Sequence, residues 1–91
     1  MKHPRLFNYI LPDYLNYIRK QKCCVPGCSF VADPHHLWHA RKNDYLAIPL
    51  CRQHHILLHS MPIDKFENDF NVNLCEEALY CIFNYGIFKQ E

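Results

Sequence analysis

Ninety-one residues, 49% of them hydrophobic, are enough for one small domain and too few for two. Six cysteines and seven histidines against only two glycines exclude a collagen-like or low-complexity chain and favour a domain stapled by metal or disulfides. The net charge of +1 hides a division. Residues 19–59 hold six Lys/Arg against two Asp and six of the seven histidines, whereas residues 60–91 hold two Lys against six carboxylates. A basic, His-rich middle suits a polyanion such as nucleic acid. No apolar run approaches the roughly 20 residues of a membrane span, and residues 1–19 lack the apolar core and cleavage site of a signal peptide. The expected location is therefore cytoplasmic, a reducing setting in which Cys beside His reads as metal binding.

In chain order, Pro12 and Asp13 predict the start of a first helix, with Tyr14, Leu15, Tyr17 and Ile18 as its apolar face and residues 19–22 as its basic end. Pro26-Gly27 marks a tight turn between Cys23 and Cys28. Residues 30–37 and 45–50 read as the two arms of a β-hairpin, kept irregular or at an edge by Pro34 and Pro49. A short helix is predicted over residues 51–60 and another from Pro62, carrying Ile63, Phe66 and Phe70. Asn73 followed by Glu76 resembles a capping box for the final helix, with Leu74, Ala78, Ile82 and Tyr85 on one side. The fold class expected is α+β and mainly helical: one domain with an N-terminal helix (1–22), a metal-stapled centre (23–60) and a helical tail (61–91).

Cys23-x4-Cys28 and Cys51-x2-His54 form two close-spaced pairs, each able to bring two soft ligands onto one tetrahedral structural zinc. Cys24 can stand in for Cys23, at a less familiar spacing. A second set is separate. His54 and His55 diverge by about 100° on a helix, whereas His55 and His59 share a face at i and i+4. His35 and His36 on the hairpin add further imidazoles. Three neutral imidazoles leave coordination positions open, as in a catalytic metal site. Strand alternation aims His35 and His36 at opposite faces, so their joint use requires a bend, which Pro34 would supply.

The order Cys-x4-Cys, His-His, then Pro-Leu-Cys-x2-His-His-x3-His resembles HNH endonucleases of the ββα-metal type. The likeness is greatest to the small phage-associated branch that includes the recombination-enhancement nuclease Ref, and it covers most of the chain. The resemblance implies a zinc-stapled ββα-metal domain that hydrolyses DNA phosphodiesters with one divalent cation, Mg2+, Mn2+ or Zn2+. By position, His36 matches the general base and His35, His55 and His59 the ligands of the catalytic metal. The middle Asn of the HNH pattern is displaced, leaving Asn43 and Asp44 as candidates to brace the loop or orient His36, with Asp44 matching an acidic position of the phage-type branch. The resemblance also implies delivery to DNA by a recombination protein.

His39, Arg41, Lys42 and Arg52 flank this set and are candidates for phosphate contact. Trp38 either stacks on a base or packs over the cysteine turn, the second being expected. Cys75 and Cys81, six apart on the last helix, do not share a face and both read as core. The Tyr and Phe residues after Phe66 read as helix-packing groups or, if exposed together, as a dimer or partner surface. The alternative function is a non-catalytic zinc module that binds nucleic acid or protein. A hydrolase of some other phosphodiester is the third reading.

Overall fold

Pro at the first helical position and Asp13 in the first turn start α1 (Pro12–Arg19), where a missing N–H costs nothing and a carboxylate faces the positive helix end. The computed structural model describes residues 9–39 and 42–90. Within them α1 is followed by β1 (Asp33–His36), β2 (Ala47–Leu50), α2 (Arg52–His59), α3 (Ile63–Phe70) and α4 (Leu74–Gln90). The α+β, mainly helical expectation holds at this level.

β1 and β2 pair antiparallel, with Pro34 opposite Pro49, His35 opposite Ile48 and His36 opposite Ala47. The two prolines do not spoil the hairpin. Pro49 turns its carbonyl outward to accept the Cys24 N–H at 2.8 Å, so the proline pair occupies a position with no ladder bond to lose. The bend expected at Pro34 is not there: β1 stays paired with β2 through His36, and the chain turns only after it, at Trp38, whose φ is +52°. Gly27, at φ +84°, makes the tight turn of the cysteine loop, a conformation in which a Cβ is strained.

Ile48, Leu50, Leu37 and Phe66, each at most 1% exposed, join Leu58, Leu74 and Ala78 in the larger core, which seats α2, α3 and α4 on the hairpin. A smaller cluster packs Tyr14 and Ile18 of α1 against Cys81 of α4, with Tyr85 edge-on to Tyr14 at 4.9 Å. Asn71, left-handed at φ +55°, ends α3. Asn73 caps α4 through the Glu76 N–H at 2.9 Å, as its sequence predicts. The neighbouring free N–H, that of Leu74, donates at 2.8 Å to Glu67 of α3, locking the two helices together.

Phe66→Ala removes a wholly buried ring shared by these helices. It should lower unfolding stability by about 3–5 kcal/mol, read as a shift of the urea midpoint at unchanged slope.

α4 departs from expectation on its outer side. Leu79, Tyr80 and Phe83 are each more than 60% exposed and Cys75 is exposed, whereas Cys81 is buried. Six residues turn a helix by about 600°, so one cysteine faces in and the other out. No helix of the described residues is long and apolar enough to cross a membrane.

Candidate metal centres

The cysteine loop is a small turn of its own. Cys23 N–H donates to the Phe30 carbonyl (3.0 Å) and Cys28 N–H to the Val25 carbonyl (3.0 Å), which brings both thiols to one side. Cys51 stands at the N-cap of α2 and its sulfur accepts the His54 N–H, so the helix start itself aims Cys51 and His54 at the turn. Cys23 Sγ lies 3.4 Å and Cys51 Sγ 3.1 Å from His54 Nδ1, and Cys28 Sγ lies 3.9 Å from Cys51 Sγ. Edges of about 3.5–3.8 Å follow from tetrahedral bonds of metal–sulfur and metal–nitrogen length, so the set suits a structural metal. All four ligand atoms lie within 4.8 Å of one another.

Protons are unevenly placed among the thiols. Burial pushes Cys23 up to about 11. Burial also acts on Cys51, but the His54 N–H and the neighbouring thiols outweigh it and hold Cys51 below the ordinary thiol value, which favours its thiolate over that of Cys23. Between Cys23 and Cys24 the structure chooses Cys23. The bond from Cys24 N–H to Pro49 fixes Cys24 on the far side, where its thiol, raised by burial, lines a cavity with Cys81 and Glu77.

The second cluster joins the hairpin to α2. His35 is buried, with its ring 4.5 Å from that of His55 and 5.2 Å from that of His59. His55 Nε2 and His59 Nε2 approach to 2.9 Å, as two donors aimed at one point from successive helical turns. Their ligand atoms and that of His35 also fall within 4.8 Å of one another. Burial and the adjacent His59 hold His55 below the ordinary imidazole value, which favours the neutral form that binds metal.

His36 is not among the ligands of this trio and instead meets Asp44. His36 Nε2 lies 2.9 Å from Asp44 Oδ1. Asp44 is 3% exposed, and its Oδ2 accepts the Leu11 N–H at 2.6 Å. A carboxylate only accepts, so Nε2 carries the ring proton and Nδ1 is left as the basic nitrogen. The strap that supplies Leu11 is itself tied down: Tyr9 N–H donates to the Lys42 carbonyl (2.6 Å) and Asp44 N–H to the Tyr9 carbonyl (2.8 Å). Asn43 plays another part, its Oδ1 accepting the Tyr45 N–H to cap the turn after it. His35, His36 and His59 line one cleft of about 340 Å³ with Trp38, Met61 and Ile63.

Residues 1–84 match the family described as protein of unknown function, DUF968. The chain belongs to that family. It is 30% identical over 81 residues to the uncharacterized protein YdfU of Escherichia coli (strain K12). The match takes in 81% of this chain and 23% of YdfU, so the chain spans about a quarter of that relative's length. No solved structure matches the chain.

The DUF968 match contains every residue of both clusters, together with His36, Asp44 and Trp38. Of the four candidates for phosphate contact, Arg41 and the side chain of His39 lie outside the described residues. Lys42 is exposed on the hairpin loop. Arg52 is exposed on the first turn of α2, close enough for its charge to lower His55 further. Trp38 corrects its expectation: it is 56% exposed at the cleft and does not pack over the cysteine turn. Leu11 was not legible as a contributor, because it acts only through a main-chain N–H.

Proposed function

We propose that this chain is a metal-dependent HNH-type endonuclease that hydrolyses DNA phosphodiester bonds. The observation that carries the reading is the His36–Asp44 pair, 2.9 Å apart and fixed by a buried carboxylate, with His36 opening onto the same cleft as His35 and His59. Hairpin and helix follow one another in the order that a ββα-metal site uses. His35, His55 and His59 would hold the catalytic cation, and Cys23, Cys28, Cys51 and His54 a structural zinc. A divalent cation in the histidine set supplies charge neutralisation for the scissile phosphate and the departing 3′ oxygen.

The rest falls to the side chains. His36 Nδ1 takes a proton from the attacking water, and Asp44 keeps the ring in the tautomer that leaves Nδ1 free and stabilises the imidazolium formed. The P–O3′ bond breaks as the new P–O bond forms, leaving a 5′ phosphate, while the 3′ oxygen takes a proton from solvent. The basic, His-rich span 19–59 supports a polyanionic substrate.

Supercoiled plasmid incubated with Mg2+, Mn2+ or Zn2+ tests the reading. Nicking should require added or bound divalent cation. His55→Ala and His59→Ala should each reduce nicking by about 100-fold or more while the far-UV circular dichroism and the tightly held zinc stay as in the wild type. A folded, zinc-loaded chain that nicks under none of these conditions would instead be a zinc module that binds without catalysis.

A further inference from the structure

The cleft has a wall that hydrolysis alone does not use. Trp38 is the chain's single tryptophan. Leu37 before it is 1% exposed, whereas Trp38 is turned out to 56% exposure. Its backbone lies at φ +52°, ψ +30°, a region that costs a bulky L-residue energy and that is kept where the surroundings impose it. The result is a large π-surface at the mouth of the cleft, beside His35, His36 and His59, with Met61 and Ile63 completing an apolar side. A volume of about 340 Å³ is at the lower end of small-ligand sites, the scale of one nucleotide.

We infer that Trp38 is a stacking platform for an unpaired nucleobase, so that the strand entering the cleft is single-stranded or locally opened DNA. The inference rests on the nuclease reading for what the histidines do to the adjacent phosphate. An exposed indole serves a base well because every base offers a π-face, and basic surface with exposed aromatics is how single strands are held without sequence readout. In an intact duplex those faces are covered by neighbouring base pairs, and an indole meets them only after the base has left the stack. The outward turn at Trp38 gives the ring this access, which burial over the cysteine loop would deny.

A single tryptophan makes the test direct. Emission of the wild-type chain is followed without added divalent cation against three ligands: a DNA single strand, the duplex of the same sequence, and an abasic strand of equal length. The single strand should quench the emission, and the duplex and the abasic strand should leave it close to the free value. Trp38→Ala should weaken single-strand binding roughly 10-fold or more, measured by anisotropy of a labelled strand, and Trp38→Phe should restore most of it. Unchanged emission at a saturating single strand, or equal quenching by the abasic strand or the duplex, overturns the inference. The two readings fail separately. Quenching by single strands with no cleavage under any metal condition removes the nuclease and leaves the stacking platform. Metal-dependent cleavage by Trp38→Ala at the wild-type rate, with unchanged wild-type emission, does the reverse.

Discussion

His36→Ala should lower plasmid nicking by roughly 10²–10⁴-fold while the domain stays folded, because a general base contributes on that order and the side chain is not part of the core. The more discriminating variant is Asp44→Asn. Asp44 uses both oxygens as acceptors, Oδ2 for the Leu11 N–H and Oδ1 for His36 Nε2. The Leu11 main-chain N–H cannot become an acceptor, so an amide in this place turns its oxygen to Leu11 and its NH2 group to His36. Nε2 must then accept, the ring proton moves to Nδ1, and the nitrogen proposed to take the proton of water is no longer basic. Activity should fall nearly as far as in His36→Ala, as it does where an Asp that orients a catalytic His is replaced by Asn. Nitrogen chemical shifts of His36 separate this from a loss of packing: the protonated nitrogen should change from Nε2 to Nδ1, with the rest of the spectrum retained. Wild-type nicking by Asp44→Asn would show that the carboxylate does not set the tautomer.

The parts of the site that could be read from sequence are those fixed by short stretches of chain. Cys23-x4-Cys28 closes because Gly27 makes one tight turn. His55 and His59 meet because four residues make about one helical turn, and Pro12, Pro62 and Asn73 sit at helix starts for local reasons of backbone bonding. What could not be read depends on distant partners. Asp44 orients His36 only because the strap at Leu11, 33 residues earlier in the chain, closes over it. Cys23 rather than Cys24 joins the cluster because the Cys24 N–H is claimed by Pro49. Trp38 has a composition suited equally to core and surface, and its left-handed backbone decides the matter. α4 was legible in part: the side with Leu74, Ala78, Ile82 and Tyr85 packs as its periodicity predicts, but Leu79, Tyr80 and Phe83 on the other side are as apolar as the packed ones, so hydrophobicity alone does not mark them as open.

Stripping the metal from the cysteine site should unfold the chain, an effect larger than that of any single core substitution. Cys23 and Cys51 belong to the larger core, and Cys51 also caps α2. The loop from α1 to β1 is otherwise held by the isolated bridge of Lys22 to Val31, a few main-chain bonds and the burial of small side chains such as Val25 and Ala32. A metal there would join this loop, the end of β2 and the start of α2 at one point. Binding of structural zinc to small domains is of the order of 10–16 kcal/mol, comparable with the roughly 5–15 kcal/mol that separates a whole domain from its unfolded state. A strong chelator at neutral pH should therefore release one tightly held zinc per chain together with the helical circular dichroism signal, in one transition. Cys51→Ser and Cys28→Ser should behave as the chelated chain does. Cys75→Ser, an exposed position, should keep both zinc and fold. The histidine cluster depends on this staple, since α2 carries His55 and His59 away from a start that Cys51 anchors. A cation held by that cluster, as proposed, should exchange freely in the folded protein and be lost entirely once the cysteine site is emptied. A chelated chain that keeps its native spectrum would show instead that the two hydrophobic clusters suffice, and that the cysteine site has work other than holding the fold.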